Sequence, residues 1–180
     1  MADILFGDYN PGGRLPITFY KGDSDLPEFV DYKMDNRTYR YFEGTPLYGF
    51  GYGLSYTTFK YDDFKLPAKI AKGKIISVSV RITNTGKMAG DEVAQLYVIN
   101  QNRAIKTPLK TLKGFERISL KAGESKIVSF TLSPEDVSYI TAEGVSKQYN
   151  GEIKIAVGGH QPGEPNKSSS SILTKTLLIQ

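Results

Sequence analysis

At 180 residues, 39% hydrophobic and 23% charged, the chain has the length and composition of a soluble globular protein with one domain, or one domain plus an appendage. It contains no cysteine, which excludes disulfides, thiolate metal sites and cysteine nucleophiles. Its net charge of +4 comes from dispersed lysines such as Lys65, Lys69, Lys106, Lys110 and Lys121, not from a dense basic run, which argues against a nucleic-acid partner.

The opening MADILFGDYN lacks the charged, apolar, small order of a signal peptide and reads as a cut into something larger. No apolar run is long enough to span a bilayer, so no membrane partner is expected. Ala2 to Phe6 predicts the end of a helix or a short strand, stopped by Gly7. Asn10-Pro11-Gly12-Gly13 is a turn signal, and Pro16, Pro27 and Pro46 recur before any helical period is established. The stretch YRYFEGTPLYGFGYGLSY then places Tyr39, Tyr41, Phe42, Tyr48, Phe50, Tyr52 and Tyr56 among four glycines. Glycine at that density disfavours a regular helix, and disordered segments are poor in aromatics. Such rings need a surface for burial, part of it outside the segment. Residues 1–59 therefore read as an irregular arm whose aromatics lie across the following domain, order loosely, or bury against a second copy in a homodimer.

From Phe59 the pattern changes to strands. Ile76, Val78, Val80 and Ile82 alternate with Ser77, Ser79, Arg81 and Thr83, one face for a core and one for water. Ala94, Leu96 and Val98 define a face of the next strand, and Val93, Tyr97 and Ile99 make its other face unusually apolar. A strand with Phe115, Ile118 and Leu120 follows, then a turn at Ala122-Gly123 and a strand with Val128, Phe130 and Leu132. Ser133-Pro134-Glu135-Asp136 reads as one helical turn capped by Ser133. Asn150-Gly151 suits a tight hairpin before Ile153, Ile155 and Val157. A polar loop from Gly158 to Ser171 precedes a last strand from Ile172 to Ile179. Seven or eight short strands with turns between them predict an all-β fold over residues 60–180, an immunoglobulin or fibronectin type III-like antiparallel sandwich.

Signals for chemistry are sparse. His160 is the only histidine, with Glu164 as its nearest carboxylate in sequence, and no nucleophile elbow precedes it, so neither a metal site nor a Ser-His-Asp triad is expected. Gly49-Phe50-Gly51-Tyr52-Gly53 lacks the helix and lysine that would complete a phosphate cradle, and no cofactor is implied. Arg37 and Arg40 bracket Tyr39 and suit pairing with acids or stacking on rings. Two readings of the aromatic stretch stand. The rings stack on sugar faces, or they pack between the sandwich and another domain with glycines permitting close approach. The contact residues in either case are Arg37, Tyr39, Arg40, Tyr41, Tyr48, Tyr52 and Tyr56, and packing is the preferred role.

These residues also carry a family resemblance. Residues Ala2 to Phe19, ADILFGDYNPGGRLPITF, resemble the end of the α/β sandwich domain of glycoside hydrolase family 3 enzymes, the β-glucosidases and β-xylosidases. RTYRYF at 37–42 and PLYGFGYGLSY at 46–56 resemble the linker to their C-terminal domain. GDEVAQLYV at 90–98 and LKGFERI at 112–118 resemble the fibronectin type III-like domain that closes those enzymes. The resemblance implies a division into 1–59, the tail of the α/β domain plus a linker arm, and 60–180, the sandwich. It implies that the catalytic residues lie upstream, since no residue here matches either catalytic motif. An accessory or structural module of a β-glycosidase is the expectation, inactive alone, with barrel and α/β domains as partners, oligo- or polysaccharide as a further one, and a periplasmic or secreted location. A carbohydrate-binding module is the alternative.

Overall fold

The computed structural model describes residues 2–102, 107–163 and 169–180. Part of the polar loop expected between Gly158 and Ser171, with Glu164, lies outside these residues, as does Lys106. The arm carries helices α1 (Ala2–Phe6) and α2 (Thr38–Tyr41). Ten strands follow: β1 (Phe59–Lys65), β2 (Lys69–Ile70), β3 (Ile76–Asn84), β4 (Gly90–Asn100), β5 (Lys110–Leu120), β6 (Ser125–Leu132), β7 (Ser138–Ile140), β8 (Ser146–Gln148), β9 (Gly151–Gly158) and β10 (Ile172–Ile179).

Alternation builds the body. Ile76, Val78, Val80 and Ile82 of β3 enter the core with Val128 and Leu132 of β6, which pairs with β3 in register from Ile76↔Leu132 to Thr83↔Ser125. With β1 they form a three-stranded sheet ordered β1-β3-β6. The opposing sheet runs β2-β10-β9-β4-β5 and supplies Leu96, Ile118, Ile153, Ile155 and Leu177. Full burial of each such side chain is worth about 1.5–3 kcal/mol. The fold is all-β, a sandwich whose strand pairings are antiparallel apart from the two-residue contact of β2 with β10, with one isolated parallel bridge between Phe59 and Ser170.

The details differ from the sequence reading in three places. Among the described residues the count is ten strands because β2 and the β7–β8 hairpin, two or three residues each, are too short to show a period. Asn150-Gly151 does not close a hairpin: β8 pairs with β7, whereas β9 pairs with β4 and β10. The dipeptide instead redirects the chain from one sheet to another, with Gly151 at φ 98°, a conformation glycine adopts without strain. Phe115 stands outward, 70% exposed, while Ile118 and Leu120 are buried. Register shifts where Leu96 opposes Gly114 and Tyr97 opposes Leu112, leaving Lys113 as the extra residue of a bulge. The helical turn after Ser133 forms as expected: the Asp136 N–H donates to Ser133 Oγ at 3.3 Å, and the Ser133 N–H donates to Asp136 Oδ2 at 2.9 Å.

Strand β4 positions everything that follows. One face, Ala94, Leu96 and Val98, belongs to the core; the other presents Gln95 and Tyr97, also buried although outside that core. The arm covers them.

Candidate functional site

The arm is organised by its own backbone before it meets the sandwich. Segment 15–19 runs antiparallel to 47–52: the Leu15 N–H donates to Tyr52 O at 2.9 Å, Gly51 N–H to Leu15 O at 2.7 Å, and Phe19 N–H to Tyr48 O at 2.9 Å. This ribbon brings Arg14 and the glycine-rich stretch over the end of β4.

There Arg14 Nη2 donates to Glu92 Oε2 at 2.5 Å, with both side chains almost wholly buried. Arg14 Nε donates to Gly159 O at 3.2 Å, and Tyr61 Oη donates to Glu92 Oε1 at 2.7 Å. Glu92 shares the parity of Ala94 and Leu96, so it reaches the core edge and is tolerated there only because both oxygens are paired. Burial, reinforced by the adjacent Glu92 carboxylate, pushes the Tyr61 phenol well above its ordinary value of 10.0. The Glu92 side chain is wholly enclosed, with one donor on each oxygen, and ties the arm to the sandwich.

Beside this pair the arm is read by amide chemistry. Gln95 Nε2 donates to Gly159 O at 2.9 Å and Gly51 O at 3.3 Å, and its Oε1 accepts from Tyr97 Oη at 2.5 Å. Gly51 holds φ 79°, and a Cβ there would collide with Gln95 Oε1, so glycine is required twice over. Tyr39 completes the seam: its ring stacks on Phe50 at 4.1 Å, meets Tyr97 edge-on at 6.3 Å, and its Oη accepts from the Leu112 N–H at 3.1 Å. Further along, Asn10 Oδ1 accepts from Ser55 Oγ at 2.9 Å and the Tyr56 N–H at 2.7 Å, and Thr57 Oγ1 donates to buried Asn84 Oδ1 at 2.6 Å.

The seven residues singled out in the sequence do not form one platform. Tyr39 is consumed in the seam. The Arg37 guanidinium donates to the carbonyls of Lys33, Glu28 and Asp31 and closes the loop before α2. Thr38, next to it, holds φ 55°, a strained conformation for a branched residue. Arg40 lies over the Tyr41 ring at 5.8 Å. Tyr48 and Tyr52 face each other at 5.1 Å on the outer surface, and Tyr56 donates to Ile4 O at 2.7 Å near α1. Arg14, Asn10, Glu92 and Gln95 escaped the sequence reading. The available signal was phase, since Glu92 falls on the apolar parity of its strand and Gln95 on that of Tyr97.

His160 is buried, its Nδ1 2.8 Å from Gln161 O. Among the described residues no three His, Cys, Asp or Glu side chains come together as a metal site. A cleft of about 1230 Å³ opens along the seam between Tyr39, Tyr41 and Phe42 of the arm and Asn100, Lys110 and Lys154 of the sandwich. A smaller cavity of about 230 Å³ adjoins it at Tyr41 and Asn100.

Residues 1–56 match the glycosyl hydrolase family 3 C-terminal domain, and residues 92–161 match a fibronectin type III-like domain. Among curated relatives, a xylan 1,4-β-xylosidase of Xylanibacter ruminicola is 48% identical over 143 residues, 79% of this chain and 16% of that protein. A periplasmic β-glucosidase of Salmonella typhimurium is 40% identical over 172 residues, 88% of this chain and 22% of that protein. The crystal structure of a β-D-glucoside glucohydrolase from Trichoderma reesei superposes with a TM-score of 0.80 at 31% identity, over 99% of this chain and 28% of the other. The chain thus spans 16% and 22% of the length of these two curated relatives.

Proposed function

Because this chain belongs to glycoside hydrolase family 3, we propose that it serves a β-glycosidase as a non-catalytic structural and accessory module, the parent enzyme releasing terminal β-D-glycosyl units. The observation that carries the reading is an asymmetry of exposure. Of the nineteen large apolar side chains left exposed among the described residues, fourteen precede residue 57, including Phe6, Phe29 at 92% and Tyr32 at 90%. Monomeric surfaces rarely expose apolar side chains at such density, and where they do the patch is an interaction surface. The arm is therefore docked on its inner side and open on its outer side, the form of a clasp between the sandwich of 60–180 and the barrel and α/β domains of an enzyme of this family. Retaining glycosidases need two closely spaced carboxylates beside the substrate, and among the described residues the one fully buried carboxylate, Glu92, is occupied by Arg14 and Tyr61. The relative named as periplasmic supports a periplasmic or secreted location, and no helix among the described residues is long and apolar enough to cross a membrane.

The test offers aryl β-glucoside and aryl β-xyloside to the purified chain. No turnover is expected, and activity that co-purifies through successive columns would overturn the proposal. A second reading, sugar stacking on the arm, is favoured by the Tyr48–Tyr52 pair, of which Tyr48 is exposed and Tyr52 half-buried. Calorimetric binding of cello- or xylo-oligosaccharides that disappears in Tyr48→Ala would establish it. A homodimer through the outer face of the arm predicts a doubled mass in sedimentation that is lost on Phe29→Ser.

A further inference from the structure

The smaller cavity is built differently from the arm's outer surface. It sits where α2 meets the edge of the sandwich, and three tyrosines from separate elements converge on it: Tyr41 of the arm, Tyr139 of β7, and Tyr149 just after β8. Tyr139 and Tyr149 stack at 5.2 Å with 30° between their planes. Burial raises the Tyr149 phenol above its ordinary range against an opposing hydrogen bond with Thr107, with smaller upward contributions from Tyr139 and Tyr41, which agrees with the three rings sharing one partly desolvated space. Around them stands a rim of directional polar groups. Asn100 Nδ2 donates to Thr107 Oγ1 at 2.7 Å, Lys113 Nζ lies 3.5 Å from Asp136 Oδ1, and Arg40 sits at the mouth over Tyr41.

We propose that this three-tyrosine cavity is a carbohydrate subsite that takes one pyranose ring of a β-linked oligosaccharide, with the rest of the chain running into the adjoining cleft. A pyranose has an apolar C–H face bordered by hydroxyls. Aromatic faces beside amide, carboxylate and ammonium groups present the complementary pattern. The volume of about 230 Å³ lies below the range usual for drug-sized ligands, roughly 300–1,000 Å³, and suits a single ring. The bulge in β5 supplies a specific reason for the site: it leaves Lys113 without a cross-strand partner, and Lys113 lines this cavity beside Asp136. Because Tyr41 comes from the arm and the other rings from the sandwich, the site exists only when the arm is docked. It shares no residue with the Tyr48–Tyr52 pair and does not depend on whether the chain turns over glycosides.

The experiment is an amide NMR titration of the whole chain with xylose, xylotriose and cellotriose as probes. Expected are shifts clustered at Tyr41, Asn100, Lys113 and Tyr139, with dissociation constants in the range of about 0.1–10 mM. The trisaccharides should bind several-fold tighter than xylose because they also reach the cleft. Tyr41→Ala should weaken binding about tenfold in a chain whose amide spectrum remains that of the folded protein. Ser138→Trp, which fills the cavity without removing a tyrosine, should abolish it. Tyr48→Ala should leave it unchanged. Absence of shifts at about 20 mM probe, shifts confined to Tyr48 and Tyr52, or full binding by Ser138→Trp would each overturn the proposal.

Discussion

Replacing Arg14 by methionine is the sharpest test of how the arm is held. The substitution keeps an unbranched side chain but removes the guanidinium, leaving the fully buried Glu92 carboxylate with Tyr61 Oη as its one donor among the contacts described above. Gly159 O keeps its bond from Gln95 Nε2, so the loss concentrates on the charge. Stripping one partner from a buried ion pair costs about 3–5 kcal/mol. For a chain of this size that is a fall of about 10 °C in the thermal midpoint. Urea denaturation followed by circular dichroism gives the free energy, and limited proteolysis reports on the arm. Two outcomes fit the mechanism. In one, the whole chain loses this stability. In the other, the arm lets go first, Glu92 regains water, and cleavage within residues 1–57 accelerates while the sandwich midpoint barely moves. The triple change Arg14→Met, Tyr61→Phe, Glu92→Leu removes the charges together and should recover to within about 2 kcal/mol of the parent, since apolar replacement of a buried pair is often neutral. A loss below about 1 kcal/mol for Arg14→Met with unchanged proteolysis would refute the assignment of this pair as the anchor of the arm.

Three further outcomes follow from the same seam. The folded-state value of Tyr61 is raised, so the stability held by its neutral phenol is complete below the ordinary value of 10.0 and is lost as pH rises above it through the folded value. Urea titrations between about pH 8 and 11 should show an alkaline decline that Tyr61→Phe flattens, at a cost of about 1–3 kcal/mol at neutral pH from the donor lost to Glu92; an equally steep decline in the variant would contradict this. Gly51→Ala should destabilise by about 2 kcal/mol or more through its positive φ and the collision with Gln95, whereas Gly13→Ala, with open space at the Cβ, should stay within about 0.5 kcal/mol. Tyr39→Ala, which empties the space between Phe50 and Tyr97, should lower stability by about 3 kcal/mol, and Tyr48→Ala, 41% exposed, by less than about 1 kcal/mol; equal losses would mean that the arm is not seated on β4.

The sandwich was legible because its information is local. Alternation along Ile76–Ile82 or Ile153–Val157 needs no knowledge of a partner strand, and one buried face follows from the period alone. The strands that escaped notice have too few residues to carry a period. The seam was legible only as a need: the apolar second face of β4 and the rings of 39–56 both called for cover, and they turn out to cover each other at Tyr39 and Tyr97. What the sequence withheld was the pairing of Arg14 with Glu92, 78 residues apart. A lone arginine in a turn-rich segment and a lone glutamate in a strand each look like surface charges. Only the register of β4, which puts Glu92 on the Ala94–Leu96 face, distinguishes it from its exposed kind.

The order in which these contacts can form bears on what the arm is for. Glu92, Gln95 and Tyr97 all lie on one strand of the sandwich, so the surface that receives the arm exists as soon as β4 is paired with β5 and β9. The arm contributes a single buried charge, one planar ring stack and glycines that let its backbone approach, a set that fixes its position more than it adds apolar area. Its large apolar side chains point elsewhere, with Phe29, Val30 and Tyr32 among the most exposed in the chain. A segment that spends its specific contacts inward and keeps its apolar surface outward is shaped by one neighbour for the benefit of another. Docking to the sandwich removes conformational freedom in advance, so a second domain meeting the outer face would find the rings already arrayed and would face a smaller ordering cost. If the chain serves a larger enzyme as proposed, the sandwich would act upon it through the arm, as the template that sets its shape, and variants that free the arm should then weaken association with the remaining domains even where none of the altered residues touches them.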